Sequence, residues 1–183
     1  MKIFGFVGSL RKGSYNKSLM QAALGLLPED ATLEVFDLEG IPPFNQDLER
    51  QPPPIVKAFK ARIRDADALL IASPEYNYSI PGVLKNAIDW ASRPYGDNVL
   101  EGKPVAVMSA SIGRIGGARA QYHLRQSFVF LNMYPLNRPE VMMPNAGEHV
   151  DANGNLTDEA TRQLIRQLLK ALVEWTRKLT GKT

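Results

Sequence analysis

Short apolar runs alternate along this chain with longer segments whose apolar residues recur every three or four positions. We interpret the runs as buried strands and the longer segments as helices, because strands buried on both faces are continuously apolar whereas helices bury one stripe. The predicted strands are Lys2–Val7, Thr32–Asp37, Ala68–Ala72, Val105–Ala110 and a fifth within Met133–Met143, interrupted at Asn137, Arg138 and Pro139. The predicted helices are Tyr15–Leu27, Pro54–Asp65, Pro81–Ala91, Gly117–Asn132 and Asp158–Leu179.

This alternation predicts an α/β fold, a three-layer sandwich in which helices cover both faces of one parallel sheet. Five strands of this kind favour the flavodoxin-like order 2-1-3-4-5, which binds ligands at the carboxyl ends of the strands. A chain of 183 residues suits one domain, so we expect residues 1–183 to form a single unit. The loops after the first, third and fourth strands are therefore the places to look for function.

The composition narrows the classes of function. Cysteine is absent, which excludes disulfides, thiolate catalysis and cysteine-ligated metal centres. The net charge of +3 is spread without a basic block, so nucleic-acid binding has no support. Apolar stretches are too short to span a bilayer and the N-terminus lacks a signal-peptide pattern, so we expect a cytoplasmic protein without a membrane partner. The two histidines lack carboxylates at ligand spacing, so no metal site is predicted.

The loop after the first strand, Gly8–Asn16 (GSLRKGSYN), has the composition of an anion site. A helix follows it directly, and a helix N-terminus offers unpaired N–H groups and a partial positive charge. Serine and asparagine add donors, and Arg11 adds a guanidinium suited to phosphate oxygens. The loop matches neither a Walker A sequence nor a dinucleotide fingerprint, so it favours a mononucleotide phosphate. On these residues alone, an ordinary strand-to-helix turn capped by Ser14 or Asn16 is the alternative.

The loops after the third and fourth strands should meet this first loop at one edge of the sheet. Ser73–Gly82 contains two tyrosines that can stack on a planar ring and prolines that restrict the backbone. Ser109–Arg119 contains three glycines and two serines, which permit close approach of the backbone to a ligand. Each alone reads equally as a surface loop or a flexible connector. Together, at the positions that the fold uses, they indicate a site for a nucleotide with a planar heterocycle.

Three segments of the chain resemble the NADPH-dependent FMN reductase family, in particular its bacterial chromate and quinone reductase branch. They are Gly8–Asn16 (GSLRKGSYN), Pro74–Trp90 (PEYNYSIPGVLKNAIDW) and Ser111–Leu131 (SIGRIGGARAQYHLRQSFVFL). The similarity extends over nearly the whole chain, and the middle segment is long and specific. The resemblance implies a flavodoxin-like fold, FMN as cofactor, NAD(P)H as electron donor, and a homodimer or homotetramer.

The resemblance also implies positions for the cofactor-binding residues. Around the phosphate it implies Ser9, Arg11, Ser14 and Asn16, with Tyr15 close by. Along the ribityl chain and the isoalloxazine ring it implies Pro74, Glu75, Tyr76 and Asn77. On the other side of the ring it implies Ser111, Gly113 and Gly116, and it leaves the role of Arg114 open.

An enzyme of this kind needs no catalytic side chain, because the flavin carries out the chemistry. We therefore predict an FMN-dependent NAD(P)H oxidoreductase that reduces quinones, flavins, azo compounds or chromate by hydride transfer in a ping-pong order. One alternative is a flavodoxin-type electron carrier without nicotinamide turnover, although such carriers are usually acidic and this chain has a net charge of +3. Another is a non-enzymatic signalling domain, whose phosphoacceptor version would need aspartates that the first loop lacks. NADH and NADPH, and dimer and tetramer, stay open as alternatives.

Overall fold

The computed structural model describes residues 1–181, in which a six-stranded sheet is flanked by five α-helices. The strands are β1 (Lys2–Val7), β2 (Thr32–Phe36), β3 (Ala68–Ala72), β4 (Pro104–Ala110), β5 (Tyr134–Pro135) and β6 (Val141–Met143). The α-helices are α1 (Tyr15–Leu24), α2 (Pro54–Asp65), α3 (Gly82–Ala91), α4 (Ala118–Phe130) and α5 (Glu159–Thr180). The end of the predicted domain, residues 182–183, lies outside the described residues.

The strands are parallel and follow the order β2-β1-β3-β4-β5, which confirms the predicted fold. The fifth predicted strand is split into two short ones that both pair with β4. β5 pairs with Pro104 and Val105 at its start, and β6 pairs with the Met108–Ala110 end. The Leu136 N–H still donates to the Val105 carbonyl (2.8 Å), after which residues 137–140 leave the sheet, and Pro139 among them has no N–H to give to a ladder.

The sheet is buried on both faces, which is why its central strands are continuous apolar runs. On one face, α1 and α5 pack through residues such as Leu19 and Leu168. On the other face, α2, α3 and α4 pack through residues such as Phe59, Leu84 and Leu124. Since helices cover both faces of the central strands, a ligand can reach those strands most directly at their ends.

The longest helix, α5, shows how the sequence marks both ends of an element. At its start the Asp158 carboxylate accepts a hydrogen bond from the Thr161 main-chain N–H (2.7 Å) and so caps the helix. At its end Gly181 adopts a left-handed φ of 67°, a conformation that glycine tolerates. No helix within residues 1–181 is both long and apolar enough to cross a bilayer.

Strand register brings three loops to the same edge of the sheet. Val7 pairs with Ala72, and Ala72 pairs with Met108, so β1, β3 and β4 finish side by side. The ladder continues into the loops, because the Gly8 N–H donates to the Ala72 carbonyl (2.8 Å) and the Ser73 N–H donates to the Met108 carbonyl (3.0 Å). The predicted functional loops therefore begin next to one another.

Candidate functional site

Three loops meet at the carboxyl edge of the sheet. The phosphate loop comprises residues 8–14 after β1, the tyrosine loop residues 73–81 after β3, and the glycine loop residues 111–117 after β4. Side chains join them across long stretches of sequence. Glu75 of the tyrosine loop bonds to α4, and Asn16 of α1 bonds to the end of β4. The loops therefore form one linked structure at this edge.

The phosphate loop leads into α1 with unused hydrogen-bond donors. Ser9 and Ser14 are only 3% and 4% exposed, yet neither hydroxyl has a hydrogen-bond partner within residues 1–181. No side chain caps α1, and its first turn contains no acidic residue. The two Oγ atoms are not fully buried, so an anion at the loop could reach both hydroxyls and the first N–H groups of the helix. The donor set therefore fits a phosphate group.

The cation of this loop is Arg11, whose side chain is exposed. Its guanidinium carbon lies 5.1 Å from the centroid of the Tyr15 ring, a cation–π contact. The aromatic ring holds the guanidinium in place without neutralising it, and no carboxylate within residues 1–181 pairs with it. Arg11 therefore keeps its charge and its N–H donors for an anion beside the start of α1.

Asn16 is buried in the first turn of α1, and its carboxamide reaches β4. Its Nδ2 donates to the Ala110 carbonyl (3.0 Å), and the Ala110 N–H donates to its Oδ1 (3.0 Å). This pair of bonds fixes the start of α1 against the end of β4. It also commits the amide oxygen and one amide hydrogen, so the predicted contact of Asn16 with a phosphate would use its main chain or its second amide hydrogen.

The tyrosine loop closes in a tight two-residue turn. Tyr76 and Ser79 exchange two main-chain hydrogen bonds of 2.9 Å, while Asn77 and Tyr78 have positive φ angles of 50° and 66°. Positive φ at both central residues defines a type I′ turn, which suits asparagine but strains a bulky residue such as Tyr78. The turn leaves the Tyr76 and Tyr78 rings 51% and 65% exposed, while Pro74 at its base is buried. It thus presents two aromatic faces that can stack on a planar ring.

Glu75 connects the tyrosine loop to α4. Its carboxylate accepts hydrogen bonds from the main-chain N–H groups of Arg119 (3.0 Å) and Ala120 (3.3 Å) and from the Arg119 guanidinium (3.0 Å). The N-cap residue of α4 is Gly117, which has no side chain to offer, so Glu75 caps this helix from a different loop. Because the carboxylate points to α4, the predicted contact of Glu75 with a cofactor would come from its main chain.

The glycine loop is shaped by contacts with β6. The Ser111 Oγ accepts from the Gly113 N–H (3.1 Å), and the Ser111 N–H donates to the Met143 carbonyl (3.1 Å). Gly116 has a φ of +60°, and a Cβ there would lie 2.6 Å from the main-chain carbon of Met142. Glycine is therefore required at position 116 by packing. Gly113 is exposed and Ser111 half-buried, so both are accessible to a ligand, and their contacts with it stay predictions.

Sequence reasoning missed two contributions from α4. The Arg119 guanidinium stacks on the Tyr78 ring, 3.8 Å from its centroid, and pairs with Glu75, which is 44 residues away in sequence. His123, one turn further along, has its Nδ1 3.1 Å from the Ser79 Oγ. A search for opposite charges that follow neighbouring strands would have found the ion pair, whereas nothing local marks the contact between His123 and Ser79.

The chain is similar to flavoenzymes over most of its length. Residues 1–148 match the NADPH-dependent FMN reductase family. An NAD(P)H-dependent FMN reductase of Pseudomonas aeruginosa is 54% identical over 182 residues, which cover 99% of this chain and 98% of the relative. A 2-hydroxy-1,4-benzoquinone reductase of a Burkholderia species is 45% identical over 177 residues, 97% of each chain. In the solved structures, the flavoenzyme NAD(P)H:acceptor oxidoreductase of Paracoccus denitrificans matches with a TM-score of 0.88, 38% identity and 97% coverage of both chains.

Sequence, fold and local chemistry agree on one kind of protein. The Pseudomonas and Paracoccus proteins are named as enzymes that use NAD(P)H, which supports turnover of a nicotinamide and gives no support to a flavodoxin-type carrier. The unpartnered donors before α1 have the chemistry that binds a phosphate group. The chain belongs to the NADPH-dependent FMN reductase family, as an oxidoreductase with FMN as its cofactor and NAD(P)H as its electron donor.

Proposed function

We propose that this protein carries electrons from NAD(P)H to quinones through FMN held by the three loops, with residues 1–183 acting as one domain. The observation that carries the proposal is the set of unpartnered donors before α1, the Ser9 and Ser14 hydroxyls together with Arg11. The quinone acceptor is supported by the Burkholderia relative, whose name specifies a benzoquinone.

The phosphate loop would secure the cofactor through its terminal phosphate. Ser9 and Ser14 would donate from their hydroxyls, Arg11 would add a charge-assisted bond, and Tyr15 would hold the Arg11 side chain. Asn16 would contribute mainly by fixing α1 to β4. In this proposal the phosphate loop binds the phosphate, and the Asn16 carboxamide keeps the start of α1 rigid.

The other two loops would hold the ring. Pro74, Glu75, Tyr76 and Asn77 would line one side, while Ser111, Gly113 and Gly116 would line the other. When bound, FMN supplies the redox chemistry, taking a hydride from the nicotinamide and passing two electrons to the acceptor. The loops would contribute main-chain N–H groups near the ring, where negative charge accumulates on reduction. Because donor and acceptor would use the same open face in turn, the kinetics should be ping-pong.

The exposed tyrosine rings favour a broad range of acceptors. An open wall of aromatic and small residues selects for flat molecules more than for one pattern of hydrogen bonds. Free flavins, azo compounds and chromate are therefore further candidate acceptors, the last by resemblance to the chromate reductase branch. We propose that the reaction takes place in the cytoplasm, which cell fractionation with an antibody to the protein would test.

We propose further that the protein is a homodimer or homotetramer that associates through the C-terminal half of α4. Val129 and Phe130 are 84% and 80% exposed. Phe130 also borders a groove of about 570 Å³ that Phe44 and Tyr95 line. A two-fold contact would bury the same apolar patch on both copies. Light scattering should give a multiple of the chain mass, and Phe130→Asp should lower it; a single-chain mass for the unaltered protein would refute this assignment.

Spectroscopy followed by steady-state kinetics tests the central proposal. The purified protein should bind FMN stoichiometrically, and NADPH should bleach the flavin absorbance under argon. Addition of a benzoquinone should then restore the absorbance, with parallel double-reciprocal plots for the two substrates. A protein that binds no FMN contradicts the proposal outright. Binding without oxidation of NADPH or NADH would instead identify the electron-carrier alternative.

A further inference from the structure

The tyrosine loop is attached to the first two turns of α4 at three points. Glu75 caps the helix, the Tyr78 ring lies against the Arg119 guanidinium (3.8 Å), and the Ser79 Oγ lies 3.1 Å from the His123 Nδ1. Arg119 and His123 are four residues apart, so their side chains lie on one face of the helix. The position of the loop is therefore set by α4.

The turn in this loop depends on that attachment. A positive φ at Tyr78 is disfavoured for a bulky L-residue, and such a conformation persists only where its surroundings enforce it. Glu75 immediately precedes the turn, and its side chain is only 11% exposed. Removal of its carboxylate would leave two N–H groups of α4 without an acceptor and Arg119 without its ion pair. The Arg119 side chain would then no longer be held under the Tyr78 ring.

The phosphate loop has a separate support. Its helix is fixed by the bonds between Asn16 and Ala110, which do not involve the tyrosine loop. A phosphate at the α1 N-terminus would supply much of the affinity for FMN through contacts remote from the turn. Loss of the Glu75 attachment should therefore disturb the wall beside the ring while the cofactor stays bound.

We propose that Glu75 is a positioning residue for the electron acceptor, which holds Arg119 and Tyr78 as a rigid wall beside the flavin ring. This role rests on the proposed function. Glu75 acts through Arg119 and the turn, since its carboxylate is committed to α4. Loss of its carboxylate should therefore raise the KM for the quinone. It should change the Kd for FMN only slightly and lower the stability of the chain no more than loss of another helix cap does.

The test compares Glu75→Ala with a matched cap elsewhere, Asp158→Ala, in the FMN-loaded protein. Asp158 caps α5 with the same chemistry, a carboxylate that accepts from a main-chain N–H. Both substitutions should lower the Tm by about 2–4 °C. Only Glu75→Ala should raise the KM for a benzoquinone, by about tenfold, with the Kd for FMN changed less than about threefold.

Two further variants isolate the mechanism. Glu75→Gln keeps an oxygen acceptor for the α4 N–H groups but loses the ion pair, so it should rescue the Tm and part of the KM. Arg119→Met removes the guanidinium and keeps the stem, so it should reproduce the rise in KM. The double variant Glu75→Ala/Arg119→Met should then be no worse than Glu75→Ala alone, since both act through one contact.

The outcomes separate this role from the proposed function. If the unaltered protein fails to bind FMN or to oxidise NAD(P)H with a quinone, the proposed function falls and this role falls with it. If the unaltered protein turns over and Glu75→Ala matches Asp158→Ala in Tm and in quinone KM, Glu75 is an ordinary helix cap and this role alone is overturned. A loss of FMN as large as the rise in quinone KM would also overturn it.

Discussion

The helices α1 and α4 begin at the same edge of the sheet but treat their N-termini in opposite ways. At α4 the partial positive charge meets the carboxylate of Glu75, which accepts from the N–H groups of Arg119 and Ala120. At α1 no side chain caps the first N–H groups, and the Ser14 hydroxyl beside them has no partner within residues 1–181. One helix end is satisfied by the protein, and the other offers its donors to a ligand.

This difference shows how a helix N-terminus that binds a ligand can be distinguished from one that is capped by the protein itself. The chain does supply carboxylate caps, at α4 from Glu75 and at α5 from Asp158. The helices α2 and α3 also begin without a side-chain cap, so α1 is distinguished by the hydroxyls and the guanidinium in front of it. A helix N-terminus becomes a candidate anion site when unpartnered donors lie in front of it and no carboxylate is nearby.

We expect the largest effect from a substitution that places a carboxylate at the N-terminus of α1. Ser14→Asp should satisfy the first N–H groups of α1 from within the chain and repel a phosphate. We expect the Kd for FMN to rise by at least about 100-fold, with the free energy of unfolding of the apo protein unchanged or slightly raised. Isothermal titration with FMN and urea unfolding measure the two quantities.

A control separates this local effect from net charge. Gln21→Glu adds a negative charge to an exposed position further along α1, so it should change the Kd for FMN by less than about threefold. If Ser14→Asp binds FMN as tightly as the unaltered protein, the phosphate does not lie at the start of α1, and the distinction between the two helices loses its functional meaning.

Asn16 provides the next largest effect, on stability. Asn16→Asp keeps the shape of the side chain but replaces the amide donor with a carboxylate oxygen that faces the Ala110 carbonyl. Leaving a buried group unpaired should lower the free energy of unfolding by about 2–3 kcal/mol, which urea unfolding of the apo protein would measure. Leu38→Ala, a buried core substitution remote from the phosphate loop, gives a reference for loss of stability alone. If Asn16→Asp leaves the free energy of unfolding unchanged, Asn16 does not stabilise the fold and its role is in ligand binding alone.

The fold was predictable because its information is local. Strands buried on both faces must be continuously apolar, so Ala68–Ala72 could be bounded correctly from sequence. The predicted boundaries are wrong where a local turn or a tertiary contact ends an element early. Helix α1 stops at Leu24 and not at Leu27, because the chain turns at Gly25. The fifth strand splits into β5 and β6 because each pairs with a different end of β4.

The site was predictable only in part, for the same reason. The donors of the phosphate loop are contiguous in sequence, so Ser9, Arg11 and Ser14 could be proposed together. The partners of Glu75 and Asn16 are 44 and 94 positions away, and composition carries no record of such pairs. The long-range contacts that organise the loops thus leave little local signal in a single sequence, even where the residues that make them were proposed for the site.

Substitution of Arg11 tests how much a positive charge beside the N-terminus of α1 contributes to FMN binding. Arg11→Ala should raise the Kd for FMN by about tenfold, because one charge-assisted bond to the phosphate is lost at an exposed position. The free energy of unfolding of the apo protein should stay within about 0.5 kcal/mol of the unaltered value. Arg11→Lys should recover part of the affinity, since an ammonium keeps the charge without the fork. Full retention of FMN by Arg11→Ala, judged by its yellow colour and its Kd, would remove Arg11 from the phosphate site.

The smallest expected effect is the pH dependence of the stability that Asp158 adds by capping α5, which α1 should not show. Hydrogen bonds from the side chain and the main chain of Thr161 hold the pKa of the Asp158 carboxyl below its ordinary value. The stability that this cap adds is therefore present above the unfolded pKa of about 3.9 and is lost as the pH falls through the lower folded pKa. Asp158→Ala should cost about 1 kcal/mol in urea unfolding at pH 7, and the difference from the unaltered apo protein should shrink toward acid pH. Ser14→Ala removes no ionisable group, so its free energy of unfolding should differ from that of the unaltered apo protein by the same amount at pH 7 and at acid pH. If this difference also became smaller at acid pH, α1 too would be capped by a carboxylate.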